Sequence, residues 1–441
     1  MMDPTYPVQT VDEAYHACHP DLALEAGDPR YIPLTPVRGG FDLPVTITNN
    51  IRRTPRGYFH QQLVTGHRGC GKSTELKRLQ AHLRKANYFA VYVDAEVLLD
   101  LGDVTYLDVL VALTQELEQA LRGEHIQVPR SLRENLDQWF AAVILTEEQR
   151  RDVERTLEAD FGVGPQVPAL ARMLAAITGQ IRSGSSRRVE IRRQLEQNLR
   201  VFVQRLNELV DDARVRLTRK GWNDLVFIVD GLEKMHYAPL PDGQSTHSAL
   251  FVAHAEQLKS IHSHVIYTVP ISLVFNANLG DAFPDPTLII PMVKITEPDG
   301  RTPYEPGREA LFRVVARRVD VARVMESEDL VWRLVEASGG SVRDLMRLMR
   351  LACYGATDCI REAHVETAIR ELGREYDRLM QDDDLDLLIF IARERRVPGN
   401  ERSARLLHLR LVLEYQDDSG RWANIHPALR LSPRLKGRIG A

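Results

Sequence analysis

Gln62-Leu63-Val64-Thr65-Gly66-His67-Arg68-Gly69-Cys70-Gly71-Lys72-Ser73-Thr74 reads as a short apolar strand running into a glycine-rich loop and then, over residues 75–83, into a helix. Gly66 with Gly71-Lys72-Ser73 satisfies G-x-x-x-x-G-K-[ST], in the strand–loop–helix context that the motif requires. Glycines let successive backbone N–H groups converge on one point, and the helix beginning there adds the positive end of its dipole. The loop from Gly66 to Thr74 is therefore expected to cradle phosphates. Lys72 would place its charge on the β- and γ-phosphates, and the Ser73 hydroxyl would ligate Mg2+.

Four more apolar runs, at 89–93, 225–229, 264–269 and 288–295, alternate with helical stretches. They predict an α/β fold: a parallel sheet with helices on both faces. The third run ends on Asp230 and is followed by Gly231-Leu232-Glu233. A strand-end acid beside the phosphate-loop strand is expected to complete the Mg2+ site, which assigns Asp230. Glu233, one short turn on, is the candidate to polarise the attacking water; the plainer alternative is a salt bridge with Lys234. Thr268 or Ser272, after the next strand, reads either as a γ-phosphate sensor or as a satisfied strand-end hydroxyl. A guanine-specifying Asn/Thr-Lys-x-Asp motif is absent after the loop, which favours ATP and ADP as the nucleotides.

Around this core the chain divides into an irregular Pro/Gly-rich arm (1–40), the core (41–300) with a helical insertion at about 124–220, a helical lid (301–380) and a final unit (381–441). In the insertion, Gly184-Ser185-Ser186 reads as a flexible joint. The stripe Leu195, Leu199, Phe202, Leu206, Leu209 and Ala213 reads as one long helix packing on its neighbours, or as a coiled-coil seam for a second chain. In the lid, Ser338-Gly339-Gly340-Ser341-Val342-Arg343 reads as a glycine turn, an N-cap and a new helix, with Arg343 placed to reach a phosphate across a cleft or to pair with Asp344 or Glu336. After Gln381-Asp382-Asp383-Asp384, two helices precede two β-prone runs joined by Asp417-Asp418-Ser419-Gly420, the pattern of a winged helix. Arg402, Arg405, His408 and Arg410 form a local basic cluster there, with Arg421, Arg430, Arg434, Lys436 and Arg438 nearby.

With 57 basic against 61 acidic residues and a net charge of -4, nothing drives the whole chain toward nucleic acid or membrane. Four scattered cysteines make neither a disulfide framework nor a metal site, so a reducing cytoplasm is expected. Met1 to Thr10 has no signal-peptide pattern, and no apolar run is long enough to span a membrane.

The order of phosphate loop, Asp230 strand, Thr268 strand, Gly-Gly-Ser-Val-Arg bundle and winged helix resembles the AAA+ ATPases, and most the replication-initiator ATPases and the related STAND signalling ATPases. The resemblance implies that Gly66 to Thr74 is Walker A, that Asp230 and Glu233 are Walker B, and that Arg343 is sensor 2. It also implies that His426 in the winged helix touches the β-phosphate and locks an ADP-bound form; the plainer alternative is a surface or packing histidine before a proline. No arginine lies between Ile261 and Gly300, which argues against the usual arginine finger, and Asp-Gly-Leu-Glu is similar to the STAND form, which implies slow hydrolysis. Two functions follow from the resemblance. One is a nucleotide-gated switch controlling homo-oligomer assembly or a separately encoded effector, as in bacterial defence. The other is a DNA-binding initiator-like or transposition-helper ATPase acting through the winged helix. A compact metabolic kinase would need neither bundle nor winged helix.

Overall fold

The computed structural model describes residues 5–143, 169–184, 186–241, 243–436 and 438. Ser185 of the expected joint and residues 144–168 of the expected insertion lie outside the described residues.

Five strands, β1 (Gln61–Gly66), β2 (Phe89–Asp94), β3 (Leu225–Asp230), β4 (His264–Thr268) and β5 (Leu288–Ile290), form one all-parallel sheet in the order β2-β3-β4-β1-β5. Every residue of β3 is buried, as a strand covered by helices on both faces must be. All the strands point the same way, so Gly66, Asp94, Asp230 and Thr268 gather at one edge, where ligands of open α/β sheets sit. Two expectations are corrected here. The Asp230 strand is not beside the phosphate-loop strand, because β4 lies between them. The run 288–295 is a strand only as far as Ile290: Pro291 has no N–H to continue the ladder, and Met292, Val293 and Lys294 donate instead to Glu414, Gly340 and Val37.

The stripe in the insertion is divided at Asn198 between helices Ser186–Gln197 and Leu199–Arg219. Five of its six residues are buried in the same core as β2 and β3, and Leu199 packs against that core. The stripe therefore packs on the chain's own helices. The arm is also more ordered than expected. Thr10 and Glu13 form a reciprocal capping box that starts the helix Val11–Ala17, and Val11 and Ala14 share a core with the lid.

Lid helices Glu305–Ala316, Asp329–Ser338, Val342–Cys353 and Glu362–Leu379 precede the last unit. There, helices Leu385–Glu394 and Glu401–His408 lead into the hairpin β6 (Val412–Asp417) and β7 (Gly420–Ile425), a helix–helix–hairpin winged helix. Its core is not its own. Leu407 and Ile425 belong to the lid core, while Leu413, Tyr415 and Trp422 pack with Leu76 and Leu79 of the phosphate-loop helix. Each such buried leucine is worth about 1.5–3 kcal/mol, so the unit is held to its neighbours by the hydrophobic effect. Among the described residues, no helix is long and apolar enough to cross a membrane.

Candidate functional site at the phosphate loop

The loop between β1 and helix Lys72–Lys85 turns Lys72 back on itself: its ammonium donates to the carbonyls of Gly66 (2.9 Å) and His67 (3.1 Å) and lies 3.3 Å from Glu233 Oε1. Both side chains are buried. Burial opposes each charge, but the partner prevails, so the Lys72 ammonium is held above its ordinary pKa and the Glu233 carboxyl below its own. Glu233 thus pairs with Lys72; Lys234 pairs with Glu96.

Asp230 accepts from the Gly231 N–H (2.9 Å) and the Tyr92 hydroxyl (2.5 Å). Burial and the neighbouring Glu233 charge push its carboxyl up, against the pull of the nearby Ser73 hydroxyl. Thr268 accepts from the Leu232 N–H (3.1 Å) and donates to the Val229 carbonyl, while Ser272 faces His247. Thr268 therefore fixes the turn that carries Glu233.

The set fits a magnesium–nucleotide. A hydroxyl (Ser73) and a carboxylate (Asp230) lie close enough to influence one another, the sparse donor set Mg2+ takes when phosphates complete its shell. Two buried polar atoms at the loop, Glu233 Oε2 and Arg38 Nε, have no hydrogen-bond partner among the described residues. Sequence reading missed Arg38. It comes from the arm, is buried, and its guanidinium donates to the Cys70 carbonyl. Tyr92 was missed as well, although a tyrosine at an inner position of a β-run was its only signal.

The lid and winged helix close on the same loop. Gly69 has φ 88°, and a Cβ there would lie 2.2 Å from Cβ of Arg343, so only glycine lets the lid helix seat here. The Arg343 N–H donates to the Gly69 carbonyl (3.3 Å), while its guanidinium pairs with Asp21 of the arm and not with Asp344 or Glu336. His67 is bound at both ring nitrogens by the winged helix: Nδ1 meets the Leu407 carbonyl (3.2 Å), and Nε2 accepts the Glu414 N–H (2.9 Å). Burial drives its pKa down to about 3, so the ring is neutral and Nδ1 carries the proton.

His426 is placed differently from the expectation. It is fully buried and stacked on Tyr376, its Nδ1 accepts the Ala428 N–H, and its Nε2 is 3.6 Å from Asp344, so no phosphate-loop residue is its partner. Part of the basic cluster is compensated internally. Arg405 pairs with Asp384, Arg410 with Asp344 and Arg434 with Asp382, and Arg402 donates to the Asp383 carbonyl.

No family model and no curated protein matches the chain. Similar solved structures include a Cdc6p from Pyrobaculum aerophilum (13% identity, covering 98% of this chain and 99% of that one, TM-score 0.39). Others are a Walker-type ATPase of Pyrococcus abyssi (12%, 87% and 93%, 0.39) and the Orc1 protein of Aeropyrum pernix in complex with DNA (14%, 96% and 97%, 0.37). Likenesses at this level carry no inference about activity.

Proposed function

We propose that the chain is a magnesium-dependent ATPase working as a nucleotide-gated switch, with the phosphate loop as the common anchor of its moving parts. The observation that carries this reading is the pair of hydrogen bonds joining His67, itself a loop residue, to the winged-helix backbone. A loop that rearranges around phosphates cannot leave those two bonds untouched. Nucleotide state is thereby coupled to winged-helix docking through differential contacts.

In the proposed reaction Lys72 exchanges Glu233 for the β- and γ-phosphates. Glu233 then takes the proton of a water attacking the γ-phosphorus as the bond to the β-phosphate oxygen breaks, giving ADP and phosphate. Ser73 and Asp230 would hold Mg2+, which neutralises phosphate charge. Arg38 and Arg343 stand at the rim as further cations. The output is assembly of the chain or release of a separately encoded effector.

Lys72→Ala is expected to lose nucleotide binding while staying folded. Glu233→Gln should keep binding and slow turnover roughly 100-fold or more. His67→Ala should raise hydrogen exchange across residues 407–414 in any nucleotide state; exchange that still follows nucleotide in this variant would sink the coupling. For the DNA-binding alternative the discriminating measurement is salt-dependent affinity for duplex. On the helix Glu401–His408, Arg405 is neutralised by Asp384, while Arg402 reaches only the Asp383 carbonyl among the described residues and keeps its charge free.

A further inference from the structure

On the side of the winged helix away from the phosphate loop, a recess of about 1220 Å3 opens between the lid and the hairpin. Six arginines line it: Arg301, Arg308, Arg333, Arg393, Arg395 and Arg430. Two are neutralised, Arg308 by Glu305 and Glu336, and Arg333 by Glu362 and Glu366. Among the described residues the other four have no carboxylate within ion-pair distance. Arg395 and Arg393 reach only the main-chain carbonyls of Asp299 (2.9 Å) and Arg438 (3.4 Å). Two acids share the wall, and one of them, Asp299, stays ionised and partly offsets the Arg395 charge. Glu336 is taken by Arg308, and Asp299 accepts the N–H groups of Arg301 and Thr302 and the Thr302 hydroxyl, which hold it down at about 2.

Arg395 stands at the centre, itself at φ 56°. Its guanidinium lies over Gly300, where a Cβ would come within 2.5 Å of its Cζ. Its Nη1 is buried without a hydrogen-bond partner, as is the Nε of Arg308 on the same wall. Burial and the charge of Arg430, joined by that of Arg301, depress the Arg395 pKa against the opposing charge of Asp299. Donors left unmade and like charges left unrelieved are both costly, and a single object bearing several acceptor oxygens and several negative charges relieves both. Guanidinium forks match phosphoryl oxygens in particular.

We propose that this recess binds a compact polyphosphorylated small molecule, gripped by Arg395, Arg430, Arg301 and Arg393. A concave site with the buried, partnerless Nη1 of Arg395 on its wall and the exposed Arg301, Arg393 and Arg430 around it suits a small anion. The ligand would bridge the lid and the hairpin where Tyr415 already donates to the Gly339 carbonyl (2.6 Å), and would fasten the docked arrangement.

The test is calorimetric titration of inorganic tripolyphosphate into the full chain carrying Lys72→Ala, which removes the phosphate loop as a competing site. One site per chain is expected, weakened at least roughly tenfold by adding Arg395→Gln and Arg430→Gln. Arg430→Gln alone, at an exposed position that folding tolerates, should weaken it several-fold. Absence of binding, affinity indifferent to these arginines, or arginine-dependent binding of a short DNA duplex in place of tripolyphosphate would each overturn the proposal.

Discussion

The two faces of the winged helix carry similar numbers of arginines and treat them in opposite ways. On the face away from the recess, Arg405 and Arg410 each meet a carboxylate the fold provides. Buried Asp344 alone receives Arg410, Arg347 and the Tyr376 hydroxyl, with His426 beside it. Burial opposes its charge, but Arg410, His426 and Arg347 hold its carboxyl far below the usual range. On the recess face the charges of Arg430 and Arg301 act together on Arg395, opposed by the single charge of Asp299. A count of basic residues therefore says little about what a surface binds, because availability is decided by partners that lie far away in sequence.

The sharpest way to break this contrast is to remove Asp344. Asp344→Ala strands buried cations, and about 3–5 kcal/mol of stability should be lost in urea unfolding, the scale for breaking a buried pair. A loss below about 1 kcal/mol would mean that the docked face is not held by this carboxylate.

A middle-sized effect comes from pH. His67 is neutral when docked, with a pKa of about 3, against an ordinary unfolded value near ~6.5. Between those values the unfolded chain binds a proton that the folded chain refuses, so stability is full above the unfolded pKa and falls as pH drops below it. Going from pH 7 to 5 should cost about 2 kcal/mol through this one ring, read as a shift in the urea midpoint. His67→Gln should flatten that slope, and an unchanged slope would remove His67 from the account.

The smallest effect is expected on the recess face. Arg430→Gln relieves repulsion and breaks no ion pair, so stability should stay within about 0.5 kcal/mol of the parent or rise slightly. A clear loss in thermal unfolding would show that Arg430 already has a partner holding the fold.

What the sequence made legible was local. The phosphate loop, the strand ending in Asp230, the Ser341 cap and the Asp417–Gly420 turn each announce themselves within about ten residues, through backbone conformation and alternation that need no partner. What it hid was non-local. That β4 lies between β1 and β3, that Arg343 pairs with Asp21, and that His67 rather than His426 is the histidine joining the winged helix to the phosphate loop all depend on contacts spanning hundreds of residues. Pro291 was visible, yet its effect was not, because the apolar pattern continues past the point where the ladder stops.

The bond from His67 to Leu407 joins residues 340 apart. At a synthesis rate of ~5–20 residues per second, the phosphate loop leaves the ribosome on the order of half a minute before its histidine can find that carbonyl. β1 pairs with β4 and β5, so it stays unpaired until residues 264–290 are made, and the surface that receives the winged helix stays bare until residue 407 and those after it follow.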